Sequence, residues 1–318
     1  MPSQSTVSTT FRRGLWWLVW PVWIREQKRL RAPLRAVLPL VLTFLALALV
    51  QPTLRARFDH PVVEALEAAA LAVVLVAAVF LGARLLDRRS VADYGLSLDR
   101  RWWRSFAVGG AIATAVNAGT LTLALAAGWA TVTGFAAGAG ALPFVPAMAL
   151  VFGYVAVAAA WEEFVFRGAM LQNLAEGIEG YAPRWVAVGV ALLASSVVFA
   201  VLHGGKVTHL GQYGYYLLAG LVLGGVYVLT GDLALPMGFH ACYNFTMSAV
   251  FGLGVSQQTP ELVVLDLVGP TLWVGEEGLA HVLFAALGGL ALLSYVRWRD
   301  GSASLVDSVR QLTSRRRQ

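Results

Sequence analysis

A chain of 318 residues that is 58% hydrophobic and only 13% charged carries about half the charge of an ordinary soluble domain, near 25%, and its mean hydropathy of +0.67 excludes a soluble globular fold. The net charge of +6 does not make it a nucleic-acid binder, because the basic residues sit in short clusters at the ends of apolar segments, where they set membrane topology. The single cysteine, Cys242, excludes an internal disulfide and a cysteine-based zinc site.

The useful unit of length is therefore the apolar segment of about 20 residues that crosses the hydrocarbon. Residues 1–34 form an N-terminal cytoplasmic or interfacial segment. Trp16, Trp17, Trp20 and Trp23 interleave with Arg25, Lys28 and Arg29, the pattern of a helix lying at the headgroups, and no cleavage site of a signal peptide follows. Residues 35–145 hold N-terminal spans at 35–51, 62–83 and 106–128. Residues 146–253 hold four more, at 146–171, 186–204, 213–230 and 234–253. Residues 254–318 comprise an outward loop, a last span at 278–296 and a basic tail. The expected fold is an all-α polytopic transmembrane bundle of about eight membrane-spanning helices, since a backbone in lipid must satisfy its own hydrogen bonds.

Arginines at 84, 88, 89, 100, 101 and 104, and those of the tail at 297, 299, 310 and 315–317, predict cytoplasmic faces. The stretches between spans three and four and between seven and eight contain no Lys or Arg, and the second holds Glu261, Asp266, Glu276 and Glu277. Both are expected outside, which places the chain in the cell membrane with both termini cytoplasmic. Arg55 and Arg57 depart from this alternation, as does His209 near Lys206 on another outward loop. Gly109-Gly110, Gly220 and Gly224-Gly225 allow close helix contact, and equally fit ordinary membrane composition.

Ionisable residues inside lipid cost a few kcal/mol each, which makes them the first functional candidates. The fourth span carries Glu162, Glu163 and Arg167. Glu163 and Arg167 are four apart on one face and can pair, leaving Glu162 about 100° around the helix. A carboxyl group without a partner in low dielectric suits general acid or base work; the plainer reading is a structural ion pair with a spare glutamate facing water. The fifth span ends Phe199-Ala200-Val201-Leu202-His203, and the seventh carries His240 and Asn244 at a spacing that puts both on one face, with Cys242 pointing away. No His-Glu-x-x-His, no Gly-x-Ser-Gly and no pair of intramembrane aspartates is present.

The three pieces Glu162-Glu163-x-x-x-Arg167, Phe199-x-x-x-His203 and His240-x-x-x-Asn244, in this order on separate spans, resemble the CAAX protease and bacteriocin-processing family (CPBP, also called Abi). The resemblance covers about residues 146–253. It implies an intramembrane endopeptidase of metalloprotease type, with Glu162, His203, His240 and Asn244 catalytic and Glu163, Arg167 and Phe199 supporting. Two mechanisms stay open: Glu162, His203 and His240 bind Zn2+, or Glu162 with His203 activates water while His240 and Asn244 hold the oxyanion. The implied partners are membrane lipid and a peptide or protein substrate, such as a lipidated CAAX-type tail, a leader peptide or a membrane-protein segment. A non-catalytic immunity or scaffold protein and a proton-coupled transporter are the alternatives. Straight spans put His203 late in one helix and His240 early in another, so their depths are expected to differ unless helices are tilted, broken or shifted.

Overall fold

The computed structural model describes residues 22–24, 29–57, 62–207, 210–254, 259–276 and 278–301. The expected interfacial helix is partly corrected: Trp23–Ile24 (β1) pairs antiparallel with Arg29–Leu30 (β2), while Trp16, Trp17, Trp20, Arg25 and Lys28 lie outside the described residues. Pro33 occupies the first turn of α1 (Ala32–Arg55), where a missing N–H is no loss. After α2 (Val62–Leu81), the chain leaves through a π-helical turn, Gly82–Asp87, that ends on Arg88 in the left-handed region at φ 53°. A short 3-10 turn, Val91–Tyr94, is closed by a reciprocal capping box between Ser90 and Asp93. Asp99 then accepts from the Trp102 amide and starts α3 (Arg100–Ala126).

Beyond α3 the structure adds a hairpin-like sheet that apolar periodicity did not reveal. Ala130–Ala137 (β3) pairs antiparallel with Glu261–Leu267 (β4), with a bulge between Val132 and Gly134. Both strands come from the two loops expected outside. Between them run α4 (Phe144–Ile178), α5 (Arg184–Leu202), α6 (Gln212–Thr230) and α7 (Ala234–Phe245), which continues into a π-helical turn, Thr246–Val250. The last helix among the described residues is α8 (Leu279–Asp300). Among the described residues, eight helices match the eight expected segments, and six of them are long and apolar enough to cross a membrane: α1, α3, α4, α5, α6 and α8. The chain is a helical, multi-pass membrane protein.

Two lengths differ from expectation. With 35 residues, α4 measures about 52 Å at 1.5 Å per residue, well beyond the about 30 Å of hydrocarbon. Helix α7 is short, at 12 residues. It is held against α3 where neither backbone has room for a side chain: a Cβ on Gly109 would lie 2.4 Å from the Leu235 carbonyl, and one on Gly238 would lie 2.0 Å from that of Phe106. Asn117 extends this contact by donating to the Tyr243 carbonyl and to Thr246 Oγ1, both at 2.8 Å.

At the arginine-rich end a buried polar network ties the N-terminal elements to α4. Arg35 donates to Asp87 Oδ1 (2.6 Å) and to Asn173, Asn173 Nδ2 donates to Asp87 Oδ2 (2.7 Å), and the Tyr94 hydroxyl donates to the same oxygen. Burial beside Asp87 pushes the Tyr94 phenol up, which keeps it a donor. Glu176 gathers Arg29, Arg35 and Arg89, and Gln172 donates to the Tyr227 hydroxyl on α6. Arg35 and Asp87 are both almost fully buried, so each makes the other tolerable. Asp87→Ala leaves the buried Arg35 with Glu176 as its remaining carboxylate and removes the acceptor of Asn173 and Tyr94, and is expected to cost about 1–3 kcal/mol, read as a lower Tm of the purified protein in detergent; an unchanged Tm would contradict this role.

Candidate active site

Glu162 and Glu163 close the regular part of α4, and at Phe164 the helix widens into a π-helical stretch that runs to Leu171. Such widenings often mark functional sites. Here the widening starts directly after the two carboxylates, and both reach the same imidazole. His240 Nδ1–H donates to Glu163 Oε1 at 2.8 Å, and His240 Nε2 lies 3.8 Å from Glu162 Oε2. His203, just past the end of α5, donates from Nδ1–H to the Phe199 carbonyl at 2.8 Å and holds Nε2 4.0 Å from the same Glu162 oxygen. A carbonyl and a carboxylate only accept, so each imidazole carries its proton on Nδ1 and, when neutral, turns a lone pair toward Glu162.

The adjacent carboxylates have different surroundings. The Glu163 side chain is fully buried (0%), with Arg167 Nη1 3.0 Å from Oε1, whereas that of Glu162 is 23% exposed. The Glu163–Arg167 pair read from the i, i+4 spacing is present. It is a charge contact without hydrogen-bond alignment, and the guanidinium lies 4.5 Å from the centroid of the Phe199 ring. Phe199 also packs edge-on to His240, so its backbone sets one histidine and its ring touches both the other and Arg167. Glu162 Oε2 is buried and has no hydrogen-bond partner among the described residues.

His203 and His240 meet at one level because the helices bearing them are offset. From Glu162 to Ile178 and from Arg184 to Leu202 the antiparallel pair α4 and α5 runs about 24 and 27 Å at 1.5 Å per residue, so α5 ends beside Glu162. The predicted difference in depth is removed by the length of α4. His240 and Asn244 line one cavity of about 80 Å³ together with His203, Lys206, Tyr216 and Glu276, and Cys242 points instead at α3, toward Gly110. Every residue singled out in the three motifs is thus brought to this region.

Two features escape sequence reasoning. Tyr216 stacks on His203 with ring centroids 4.4 Å apart and planes 24° apart, closing the face opposite the helix. It lies in an aromatic run, Tyr213 to Tyr216, whose spacing does not say which ring reaches the histidine. The Glu163–His240 bond joins α4 to α7 and leaves no local signal.

Two imidazoles with Nδ1 anchored by acceptors, plus one carboxylate oxygen, are donor types that zinc takes, but the separations of 3.8 and 4.0 Å exceed the about 3.3 Å edge of a tetrahedral zinc site, and among the described residues no group of three or more His, Cys, Asp or Glu is placed to hold a metal ion. Searches among curated proteins and among solved structures return no match. The family resemblance drawn from the motifs holds, since residues 143–246, which carry Glu162, Glu163, Arg167, Phe199, His203, His240 and Asn244, match the family model for Type II CAAX prenyl endopeptidase Rce1-like, and this match implies CAAX-type intramembrane protease activity.

Proposed function

We propose that the chain is an intramembrane endopeptidase that hydrolyses a peptide bond with a water activated by Glu162 and His203. The observation that carries this reading is the convergence of two imidazole Nε2 atoms on one buried, unpartnered oxygen of Glu162. Three acceptors do not face each other without a donor or a cation between them. A water with hydrogen bonds of about 2.8 Å to acceptors 4.0 Å apart subtends about 90° between them, close to its own opening angle.

In the reaction Glu162 takes the proton of that water as its oxygen attacks the peptide carbonyl carbon. For its oxyanion role His240 carries a proton on Nε2 as well, while its Nδ1–H stays on Glu163 Oε1. Its Nε2–H and the Asn244 amide, on the wall of the same cavity, donate to the oxyanion. As the intermediate collapses, the proton on Glu162 passes to the leaving amine, giving one new carboxylate and one new amine. If zinc is resident, Glu162, His203 and His240 would hold it, and it would supply a bound water acidified to near neutral pH. Glu163, Arg167, Phe199 and Tyr216 position the two imidazoles in either case.

The substrate class that the family match favours is a prenylated CAAX-type tail; a leader peptide or a membrane-protein segment is chemically equivalent at the scissile bond. Cytoplasmic termini in the cell membrane follow from the arginine distribution. A scaffold keeps Glu162 for stability and a transporter keeps it for proton transfer, and neither requires Asn244, which does not titrate.

Glu162→Gln is expected to lower kcat by about 10²–10⁴-fold without lowering Tm, because the buried oxygen Oε2 makes no hydrogen bond among the described residues that the change would break; cleavage of a farnesylated fluorogenic peptide, with and without a zinc chelator, measures the loss and separates the two mechanisms. A folded Glu162→Gln protein that cleaves at the wild-type rate sinks the proposal. Glu163→Gln leaves Arg167 unpaired and frees His240, so kcat and Tm are expected to fall together while KM stays; a fall in Tm alone makes Glu163 merely structural. Asn244→Ala is expected to cost about 10²–10³-fold in kcat with little change in KM, and unaltered kinetics would remove it from the oxyanion site.

A further inference from the structure

Lys206 is one of only two lysines in the chain, the other being Lys28. It follows His203 by three residues, and its amide donates to the His203 carbonyl at 2.9 Å, so the ammonium-bearing side chain belongs to the same turn as a histidine of the site. The residue is exposed, lies on the wall of the cavity that holds His203, His240 and Asn244, and makes no ion pair among the described residues. Every other basic residue on the cavity wall is a histidine of the site. The remaining wall is apolar and aromatic, including Leu218, Val222, Phe239 and Met247, and the acidic residue on it is Glu276.

We infer that Lys206 recognises the free α-carboxylate of the substrate peptide and so determines specificity at this site. The inference rests on the proteolytic reading given above. An ammonium beside an apolar cavity attracts an anion more strongly than it would in bulk water, which orients the bound chain with its carboxylate at Lys206. The apolar wall beside it takes the side chains that precede the carboxylate. A peptide terminus satisfies both features, because it brings one negative charge on an otherwise uncharged chain. A phospholipid headgroup would use the same ammonium but would not enter the cavity.

The test pairs peptides that end in a free acid or in a carboxamide and are otherwise identical, with wild type, Lys206→Met and Lys206→Arg. Hydrolysis is followed as kcat and KM, and binding is followed by fluorescence anisotropy on the Glu162→Gln protein with and without Lys206→Met. The expected result is an acid preference of about tenfold, carried by KM, that vanishes in Lys206→Met, persists in Lys206→Arg and shrinks with added salt. The anisotropy arm shows the same preference without turnover. If the acid is preferred in binding but no variant cleaves either peptide, the proteolytic reading fails while the anchor stands. Equal handling of acid and amide by wild type overturns the inference. So does an equal loss for both peptides in Lys206→Met, the result expected of a lysine that serves a lipid headgroup.

Discussion

The two histidines of the site are oriented from behind. His203 is fixed by the Phe199 carbonyl and His240 by Glu163 Oε1, each through an Nδ1–H bond of 2.8 Å. With both Nδ1 positions committed, both Nε2 atoms point at one oxygen of Glu162, and everything proposed about chemistry depends on that orientation. An imidazole free to flip would present either nitrogen and lose the preorganisation that makes electrostatic catalysis effective. Glu163 can serve as the anchor because Arg167 balances its charge in a fully buried position.

The wider fold keeps these anchors in register. Widening of α4 from Phe164 onward lets adjacent glutamates address one side chain on α7. Close approach of α3 and α7 at Gly109 and Gly238 fixes the height of His240, two residues further on. At the other end of α4, the network around Asp87 and Glu176 ties that helix to α1 and to the turns that follow α2. These N-terminal elements lie outside the family-matched segment 143–246, yet they brace the helix that carries Glu162.

What could be read from the sequence followed the range of each interaction. Spacing of four residues on a helix is a local rule, and it made the Glu163–Arg167 pair and the shared face of His240 and Asn244 legible. Apolar length made the helices legible as well. The bond between Glu163 and His240 spans 77 positions, and no periodicity reports a contact of that range. No spacing rule singles out Asp87 among the arginines of its loop, although it is the acceptor at the centre of a buried network. Strands β3 and β4 were hidden for a related reason: they pair with each other, across more than a hundred residues, and read singly as outward loops without basic residues.

The most direct test of the account is single-turnover hydrolysis in heavy-oxygen water, with mass spectrometry of the products from wild type and from folded Glu162→Gln. The account predicts one heavy oxygen in the newly formed carboxylate with wild type and no product with Glu162→Gln. Product from Glu162→Gln at the wild-type rate, or an unlabelled carboxylate from wild type, would contradict the central claim that Glu162 activates the attacking water.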